Sequence, residues 1–369
     1  MSKKVLLLTA SYGTGHITAT KSLDEAFRKL YPEVETKTLD FLKINGGTQT
    51  QPTFFQKLYN FSMERPILFD IFFNLTNNEF CRFTLEKMMI LNHYKKVKKI
   101  FDEYQPDILV SSHPYWNFLV KKYKREKDIP YVCIVTDSYM IHKAWIDSSV
   151  DYYCVIDEDS KYVLINNGIK NIIVTGFPVN PKLFEEIDRQ KILSELKLDR
   201  DRITILVAIG LGAVERFLEI IEFLRVKKED FQLIVVCGKY QDVYQKLKNE
   251  EFIPPTTIIG WTDRMHDFIR ASDLVICKGG GAIVSESLSA KKPVFIPLFV
   301  PGQEKGNVYI VEKYKMGFHE EDINKIFSKL EEIISKRINL KEYQDNIGKY
   351  IKPNPSYKTA NFVYKMITK

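Results

Sequence analysis

The stretch Leu274-Val-Ile-Cys-Lys-Gly-Gly-Gly-Ala-Ile-Val-Ser-Glu286 runs from a short apolar segment through three glycines into a helical pattern. A short, continuous apolar run is typical of a strand that is covered on both faces. Glycines between a strand and a helix leave backbone N–H groups open to an anion. The start of the chain repeats this order, since apolar residues 5–8 lead through Gly13 and Gly15 into a second helical pattern. Two such units predict a parallel α/β fold.

Strand-length apolar runs alternate with helix-length amphipathic stretches along the chain, which favours parallel sheets. The predicted strands are residues 5–9, 35–39, 108–111, 131–136, 152–156 and 172–175, followed by 203–209, 232–237, 257–259, 274–277 and 294–297. The series breaks at the stiff loop 176–181, after which residues 182–196 are predicted to form a polar helix. We therefore predict two doubly wound, Rossmann-like domains that face each other across a cleft, with ligands beyond the carboxyl ends of the strands.

Composition excludes several classes of protein. A hydrophobic fraction of 45% and a charged fraction of 27% are those of a globular protein, not of a disordered one. The five cysteines show no metal-binding or disulfide-framework spacing, so neither a zinc site nor a disulfide scaffold is expected. Without a signal peptide or a long apolar run, we expect a soluble cytoplasmic protein. Its formal charge of +7 suits an acidic lipid, a nucleotide or a nucleic acid equally.

Candidate catalytic side chains follow the predicted strands of the first half. His16 lies at the mouth of the first glycine turn, where its near-neutral pKa suits it to remove a proton from a hydroxyl; the alternative is a histidine that caps the helix. Asp137 is a candidate for orienting His16 or for holding a substrate hydroxyl, and the alternative is a capping or loop carboxylate. His142 and Trp145 follow Asp137 closely and can line the same wall, as can His113 after the predicted strand 108–111.

The first glycine turn is also an incomplete dinucleotide-binding fingerprint. Thr18 stands where the third glycine of the fingerprint should be, although Asp40 does end the next predicted strand. This pattern disfavours a nicotinamide-dependent dehydrogenase.

The second half offers the strongest local signal, the glycines 279–281. They predict a phosphate site at a helix N-terminus, with Lys278 beside it and Glu286 near enough to hydrogen-bond a ribose diol. Trp261 presents a flat face that can meet a base, or is a core residue. The polar residues that follow the next strand can recognise vicinal sugar hydroxyls: Gln303, Glu304 and Asn307.

Residues 52–94 are dense in phenylalanine and are followed by a run of lysines at 95–99. One interpretation is an aromatic helical insert that packs on the domain core. The other is an interfacial lipid-docking element, apolar with a basic collar.

Several motifs occur together in a fixed order along the chain. They are YGTGH at 12–16, TD at 136–137, HKAW at 142–145, GFPV at 176–179, VVCGK at 235–239, GW at 260–261, GGG at 279–281, SE at 285–286 and PGQE at 301–304 with Asn307. In this order the chain resembles GT-B glycosyltransferases of the diacylglycerol type. It is similar to the monogalactosyldiacylglycerol synthases of plants and, more closely, to the bacterial processive diacylglycerol glucosyltransferases. The resemblance covers nearly the whole chain.

The resemblance implies a GT-B fold in which one domain binds the acceptor and the other binds the donor. Residues 1–178 would form the acceptor and membrane-binding domain, completed by a C-terminal helix within 355–369. Residues 179–354 would form the domain that binds the UDP-sugar.

The resemblance also implies roles for individual residues. His16 and Asp137 match the catalytic positions of the family. The implied donor-binding residues are Gly238, Lys239, Trp261, Lys278, Gly279, Gly280, Gly281, Glu286, Gln303, Glu304 and Asn307. The expected acceptor and membrane residues are Gly15, Phe54, Phe55, Phe69, Phe72, Phe73, His142 and Trp145.

The implied reaction is the inverting transfer of a hexose from UDP-glucose or UDP-galactose to 1,2-diacylglycerol, which forms a β-glycoside. Neither a bound metal nor a cofactor is expected, and no nucleic acid partner. The enzyme would be peripheral on the inner face of the cell membrane, with an anionic membrane surface as a partner. The alternatives are a transferase that uses a polyprenyl-linked or other lipid acceptor, and a non-catalytic UDP-sugar sensor.

Overall fold

The structure is a computed structural model that describes residues 2–11, 13–44, 73–75 and 77–368, without four side chains in the range 79–85. The chain divides into two compact units. Unit 1 comprises Met1–Pro181, Val300–Gly306 and Lys352–Lys369. Unit 2 comprises Lys182–Phe299 and Asn307–Ile351.

Unit 1 is built on a six-stranded sheet whose strands are all parallel. The strands are β1 (Lys4–Thr9), β2 (Glu35–Asp40), β3 (Ile108–Ser111), β4 (Tyr131–Ile134), β5 (Tyr152–Val155) and β6 (Ile172–Val174), in the order β2-β1-β3-β4-β5-β6. The helices are α1 (Gly15–Leu30), α2 (Phe41–Ile44), α3 (Glu79–Tyr104), α4 (Tyr115–Lys124) and α5 (Glu158–Asn166), and the C-terminal helix described below.

Unit 2 repeats the arrangement with a second parallel sheet. Its strands are β7 (Ile203–Ala208), β8 (Phe231–Val236), β9 (Thr256–Ile259), β10 (Leu274–Cys277), β11 (Val294–Ile296) and β12 (Gly317–His319), in the order β12-β11-β10-β7-β8-β9. The helices that follow residue 188 are α6 (Arg189–Glu195), α7 (Val214–Arg225), α8 (Gln241–Lys248), α9 (Met265–Ala271), α10 (Gly281–Ser289), α11 (Gln303–Lys313), α12 (Ile323–Ile334) and α13 (Leu340–Tyr350).

The prediction of two doubly wound parallel sheets is confirmed. Strands inside both sheets are covered on both faces: β8 is buried along its whole length, and β1 from Val5 onward. Two details of the prediction are wrong. The strand predicted at 131–136 ends at Ile134, and β12 was missed because a three-residue strand that begins with glycine has no apolar run to mark it.

The segment 182–196 is not one helix. A 3-10 turn covers Pro181–Phe184, and α6 begins separately after Asp188. The Asp188 carboxylate accepts the Lys191 N–H at 3.0 Å, so it caps α6 and starts a new helix at this point.

The C-terminal helix α14 (Pro355–Thr368) packs on α1 within unit 1. Val363 is fully buried in the core beside β1, and the rings of Tyr31 and Tyr364 stack with centroids 3.7 Å apart. At its start, the Ser356 hydroxyl donates to the Val179 carbonyl at 2.5 Å. The last residues of the chain therefore complete the core of the unit that contains the first residues.

Gly176 is where β6 leaves the sheet and approaches this helix. Its φ is +91°, and a Cβ built there would lie 2.8 Å from Cγ of Pro355. Gly176→Ala should therefore lower the free energy of unfolding by roughly 1–3 kcal/mol, from backbone strain plus the clash. Chemical denaturation measures this change.

Gly168→Ala is the matched control, because Gly168 also has a positive φ, +82°, but has nothing within 4 Å of a Cβ. The difference between the two variants isolates the Pro355 contact. Equal losses in both would show that this contact contributes nothing.

Candidate active site

His16 is held at the N-terminus of α1 by the loop that follows β3. Its Nδ1 lies 2.6 Å from the Ser112 carbonyl oxygen and 3.1 Å from the Thr136 hydroxyl. Because a carbonyl oxygen can only accept, Nδ1 carries the proton of the neutral ring, and Nε2 has the free lone pair. The backbone thus fixes the tautomer that a proton acceptor needs.

Burial lowers the pKa of His16 to about 4, and the bond to the Ser112 carbonyl opposes this shift without cancelling it. The imidazole is therefore neutral at physiological pH. A neutral ring with a free Nε2 can take a proton from a hydroxyl group.

Asp137 lies three residues beyond the end of β4 and is buried. Its Oδ2 accepts the Trp145 indole N–H at 2.6 Å, and the Trp145 ring centroid is 6.1 Å from that of His16. Burial raises the pKa of Asp137 to about 6, against the opposing effect of the Trp145 bond. In the described part of the chain no hydrogen bond joins Asp137 to His16, so Ser112 and Thr136, not Asp137, orient the imidazole.

Ser112 was not singled out in the sequence, yet it ties α1 to the sheet. Its hydroxyl oxygen lies 2.7 Å from the Thr20 hydroxyl, 3.1 Å from the His16 carbonyl oxygen and 3.2 Å from the Thr9 hydroxyl, within hydrogen-bond reach of all three. The feature of the sequence that could have indicated this role is the pair of serines directly after a buried apolar strand. Their side chains satisfy polar groups at the point where β1, β3 and α1 converge.

The turn between β1 and α1 differs from a dinucleotide-binding turn. The Asp40 carboxylate accepts from Ser11, through both N–H and hydroxyl, and from the Leu42 N–H. It is therefore used to hold the turn and to start α2. The left-handed backbone falls on Gly13, with φ +75°, whereas a Cβ at Gly15 would meet nothing within 4 Å.

His142 and Phe73 form a second aromatic contact in unit 1, with ring centroids 5.0 Å apart. Nδ1 of His142 accepts the Ala144 N–H at 3.1 Å and so caps the 3-10 turn Lys143–Trp145 that carries Trp145. Burial lowers the pKa of His142 to about 4. The other predicted acceptor residues, Phe54, Phe55, Phe69 and Phe72, lie outside the described residues.

In unit 2 the glycine turn after β10 leads directly into α10. The N-cap of this helix is Gly280, and no side chain caps it. The N–H groups of the first turn of a helix have no intrahelical partner, and the helix dipole adds partial positive charge there. A phosphate group suits both features.

Close packing explains the glycines around this turn. A Cβ at Gly279 would lie 2.8 Å from Cβ of Phe299, and the Asn307 side-chain amide donates to the Gly279 carbonyl at 2.8 Å. A Cβ at Gly210, in the turn after β7, would lie 3.1 Å from Cβ of Lys278. Asn307 was predicted to bind the donor sugar, but the donor group of its amide is engaged in bracing the turn.

Glu286 projects from the second turn of α10. Burial raises the pKa of its carboxyl to about 7. No hydrogen bond or ion pair engages this carboxyl anywhere in the described residues, although the side chain is half-buried. A half-buried carboxylate without a protein partner is suited to accept hydrogen bonds from a ligand.

The remaining donor candidates differ in their surroundings. Glu304 is buried, and its Oε2 accepts the Val300 N–H at 2.6 Å, so one of its oxygens stabilises the loop before α11. Gln303 is half-buried. Trp261 is 68% exposed, which excludes its interpretation as a core residue. Gly238 and Lys239 follow β8, with Gly238 in the left-handed region at φ +59°.

Two family models match the chain. Residues 16–179 match that of monogalactosyldiacylglycerol (MGDG) synthase, and residues 204–354 match that of the glycosyltransferase family 28 C-terminal domain. The processive diacylglycerol beta-glucosyltransferase of Bacillus licheniformis is 28% identical over 94% of this chain and 90% of its own length. The Bacillus subtilis protein of the same name is 28% identical over 84% of this chain and 81% of its own.

Solved structures share the fold. MurG of Acinetobacter baumannii has a TM-score of 0.60 at 13% identity and covers 99% of this chain and 100% of its own. A UDP-glucosyltransferase from Polygonum tinctorium has a TM-score of 0.65 at 12% identity and covers 100% of this chain and 99% of its own. The fold is therefore that of the GT-B glycosyltransferases. Within this class, the chain is similar over most of its length to the MGDG synthases and processive diacylglycerol glucosyltransferases, which confirms the resemblance.

Asp137→Asn should change how stability depends on pH. The pKa of Asp137 is about 6 in the folded protein against 3.8 for an ordinary Asp. Its contribution to the free energy of unfolding is therefore greatest below pH 4 and is lost as the pH rises towards 6. Asn still accepts from Trp145 but does not titrate. Between pH 4 and pH 7, the free energy of unfolding of the variant should rise by on the order of 3 kcal/mol relative to that of wild type.

The measurement is the free energy of unfolding of both proteins at several pH values. A difference between them that stays constant with pH would contradict the buried, protonated carboxyl.

Proposed function

We propose that the protein is an inverting glycosyltransferase that moves glucose or galactose from a UDP-sugar to 1,2-diacylglycerol. The uncapped N-terminus of α10, followed by the Glu286 carboxylate that has no hydrogen bond or ion pair among the described residues, carries the proposal. The names of the relatives give diacylglycerol as acceptor and glucose as sugar. One structure of similar fold is an anthocyanidin 3-O-glucosyltransferase in complex with UDP, with a TM-score of 0.62 at 11% identity.

The donor half of the proposal assigns each phosphate and hydroxyl a partner. The diphosphate would rest on the N–H groups at the start of α10, and Glu286 would accept hydrogen bonds from the ribose diol. As the bond to the sugar breaks, the diphosphate gains charge, which the helix dipole and Lys278 would stabilise without a bound metal ion. Gly238, Lys239, Trp261 and Gln303 stay proposed contacts of the base, phosphates or sugar.

The acceptor half depends on the tautomer of His16. Nε2 would take the proton of the diacylglycerol hydroxyl. In the same step the hydroxyl oxygen would bond to the anomeric carbon from the face opposite the diphosphate. The bond between that carbon and the diphosphate oxygen breaks in the same displacement, so the configuration inverts and UDP leaves. Asp137 would act through Trp145, which forms one wall beside the imidazole.

The proposed surface for the lipid lies on α3. Phe80, Phe83 and Leu91 are 78%, 54% and 84% exposed, and their spacing places them on one face of the helix. Lys87 lies on the same face with its ammonium 4.3 Å from the centre of the Phe83 ring, and Lys95 is exposed one turn beyond Leu91. An apolar stripe with lysines suits an anionic bilayer surface.

None of the helices in the described ranges is long and apolar enough to cross a bilayer. We therefore propose a peripheral association with the cytoplasmic face of the membrane, through α3 and the aromatic residues before it.

Two substitutions should separate binding of the donor from chemistry. Glu286→Gln should weaken UDP binding about tenfold or more, because an amide replaces a carboxylate that accepts from two hydroxyls. His16→Ala should leave UDP binding unchanged and lower hexose transfer to diacylglycerol by about 100-fold or more. Calorimetry with UDP, and product mass with each UDP-hexose, check the two outcomes.

His93→Ala is the control for loss of a histidine, because His93 lies on α3 against Phe41, with ring centroids 5.0 Å apart. If calorimetry detects no heat when UDP is added to the wild-type protein, the transferase proposal is wrong. Transfer to a polyprenyl-linked acceptor in place of diacylglycerol would keep the mechanism and change the acceptor.

The α3 stripe yields a separate prediction. The double variant Phe83→Ser, Leu91→Ser should partition more weakly than wild type onto vesicles that contain anionic lipid, because it loses the apolar area that enters the interface. UDP binding should not change. Vesicle co-sedimentation measures the partition.

Tyr162→Ser with Ile165→Ser is the matched control. These residues on α5 are 64% and 49% exposed, so the control removes exposed apolar area elsewhere in unit 1. If both double variants bind vesicles equally well, α3 is not the lipid surface.

A further inference from the structure

A second histidine packs directly against the proposed proton acceptor. His113 follows β3 and is 5% exposed. Its ring meets the ring of His16 edge to face, with centroids 4.4 Å apart and an interplanar angle of 67°. On its other side it contacts the ring of Tyr115, with centroids 4.6 Å apart.

The backbone gives the two histidines opposite tautomers. His16 presents Nδ1 to the Ser112 carbonyl oxygen, so that nitrogen must carry a proton. Nδ1 of His113 accepts the Tyr115 N–H at 3.2 Å, so that nitrogen must be bare and Nε2 carries the proton. A second proton on His113 would remove the acceptor that starts α4.

His113 is therefore held as a neutral ring beside His16. Its ring contacts the imidazole, while Ser112 and Thr136 hold Nδ1 and the Trp145 ring centroid lies 6.1 Å from that of His16. A side chain that fills this position keeps water away from His16 and prevents its ring from turning about the Cβ–Cγ bond.

We propose that His113 is a positioning residue, which holds the His16 imidazole, in the tautomer set by the Ser112 carbonyl, in the orientation that receives the proton of the acceptor hydroxyl. This proposal rests on the proposed function for the catalytic role of His16, but not for the contact itself. His113 acts through His16, and no contact between His113 and a substrate is required.

The titratable groups near His16 are few. His113 faces it from the end of β3. Asp137, after β4, faces it through Trp145. The described hydrogen bonds of His16 are all to backbone or hydroxyl groups, so a shift in its titration on changing His113 reports on this contact.

Two substitutions divide the roles of His113. His113→Asn keeps an acceptor for the Tyr115 N–H but removes the ring, and His113→Phe keeps a ring but removes the acceptor. The Asn variant should lower kcat for hexose transfer by about 10- to 100-fold with an unchanged KM for the UDP-sugar, because the base is misplaced. The acid limb of its kcat–pH profile should move to higher pH, since water reaches His16. The Phe variant should keep most of the activity and the wild-type acid limb.

Nitrogen-15 NMR of labelled histidines gives a readout that needs no activity. In wild type and in the Phe variant, His16 should show a protonated Nδ1 and titrate well below its ordinary range. In the Asn variant its titration should move towards 6.5, the ordinary value for histidine. Thermal melting of both variants establishes that they fold.

Each outcome decides the proposal. Wild-type kcat, pH profile and NMR titration in the Asn variant would show that His113 only caps α4, which overturns it. Equal losses in both variants with an unchanged His16 resonance would also overturn it. If the wild type transfers no sugar, the proposed function fails, while the NMR arm still tests the coupling between the two histidines.

Discussion

Parallel pairing is the constraint on which the rest of the structure depends. In each sheet all six strands run in the same direction, so their carboxyl ends share one edge, and every following loop starts there. In unit 1 this edge collects His16, Ser112, His113 and the residues after β4. In unit 2 it collects the turns after β7, β8 and β10. Neither group of residues is close in sequence, and only the common strand direction brings each together.

At the carboxyl-end edge of each sheet, backbone groups take roles that side chains usually have. The Ser112 carbonyl selects the tautomer of His16, and amide groups at the start of α10 provide partial positive charge. Side chains then brace the backbone, as Asn307 does for Gly279 and Asp40 does for Ser11. This explains why several polar residues near the two sites are buried and satisfied, whereas Glu286 has no partner within the part of the chain that the structure describes.

The fold could be predicted from the sequence almost completely, because buried parallel strands are continuous apolar runs and glycine turns mark their ends. His16, Asp137 and Glu286 could be singled out as candidates, because each is a titratable side chain near the carboxyl end of a predicted strand, and their roles stay predictions. Their surroundings could not. The partner of His16 is a backbone oxygen, which any residue at position 112 would supply, and the partner of Asp137 is an indole that only the folded loop brings within 2.6 Å. The bond from Asn307 to Gly279 could not be predicted for the same reason, since it spans 28 residues.

The position of α14 also bears on how the protein is made. Ala360, Val363 and Ile367 belong to the same buried cluster as Val5, Leu7 and Phe27. These residues are synthesised after the whole of unit 2, long after the first strand. The part of the N-terminal sheet that α14 covers therefore stays exposed while unit 2 is synthesised, and the nascent chain presents that apolar surface until α14 emerges.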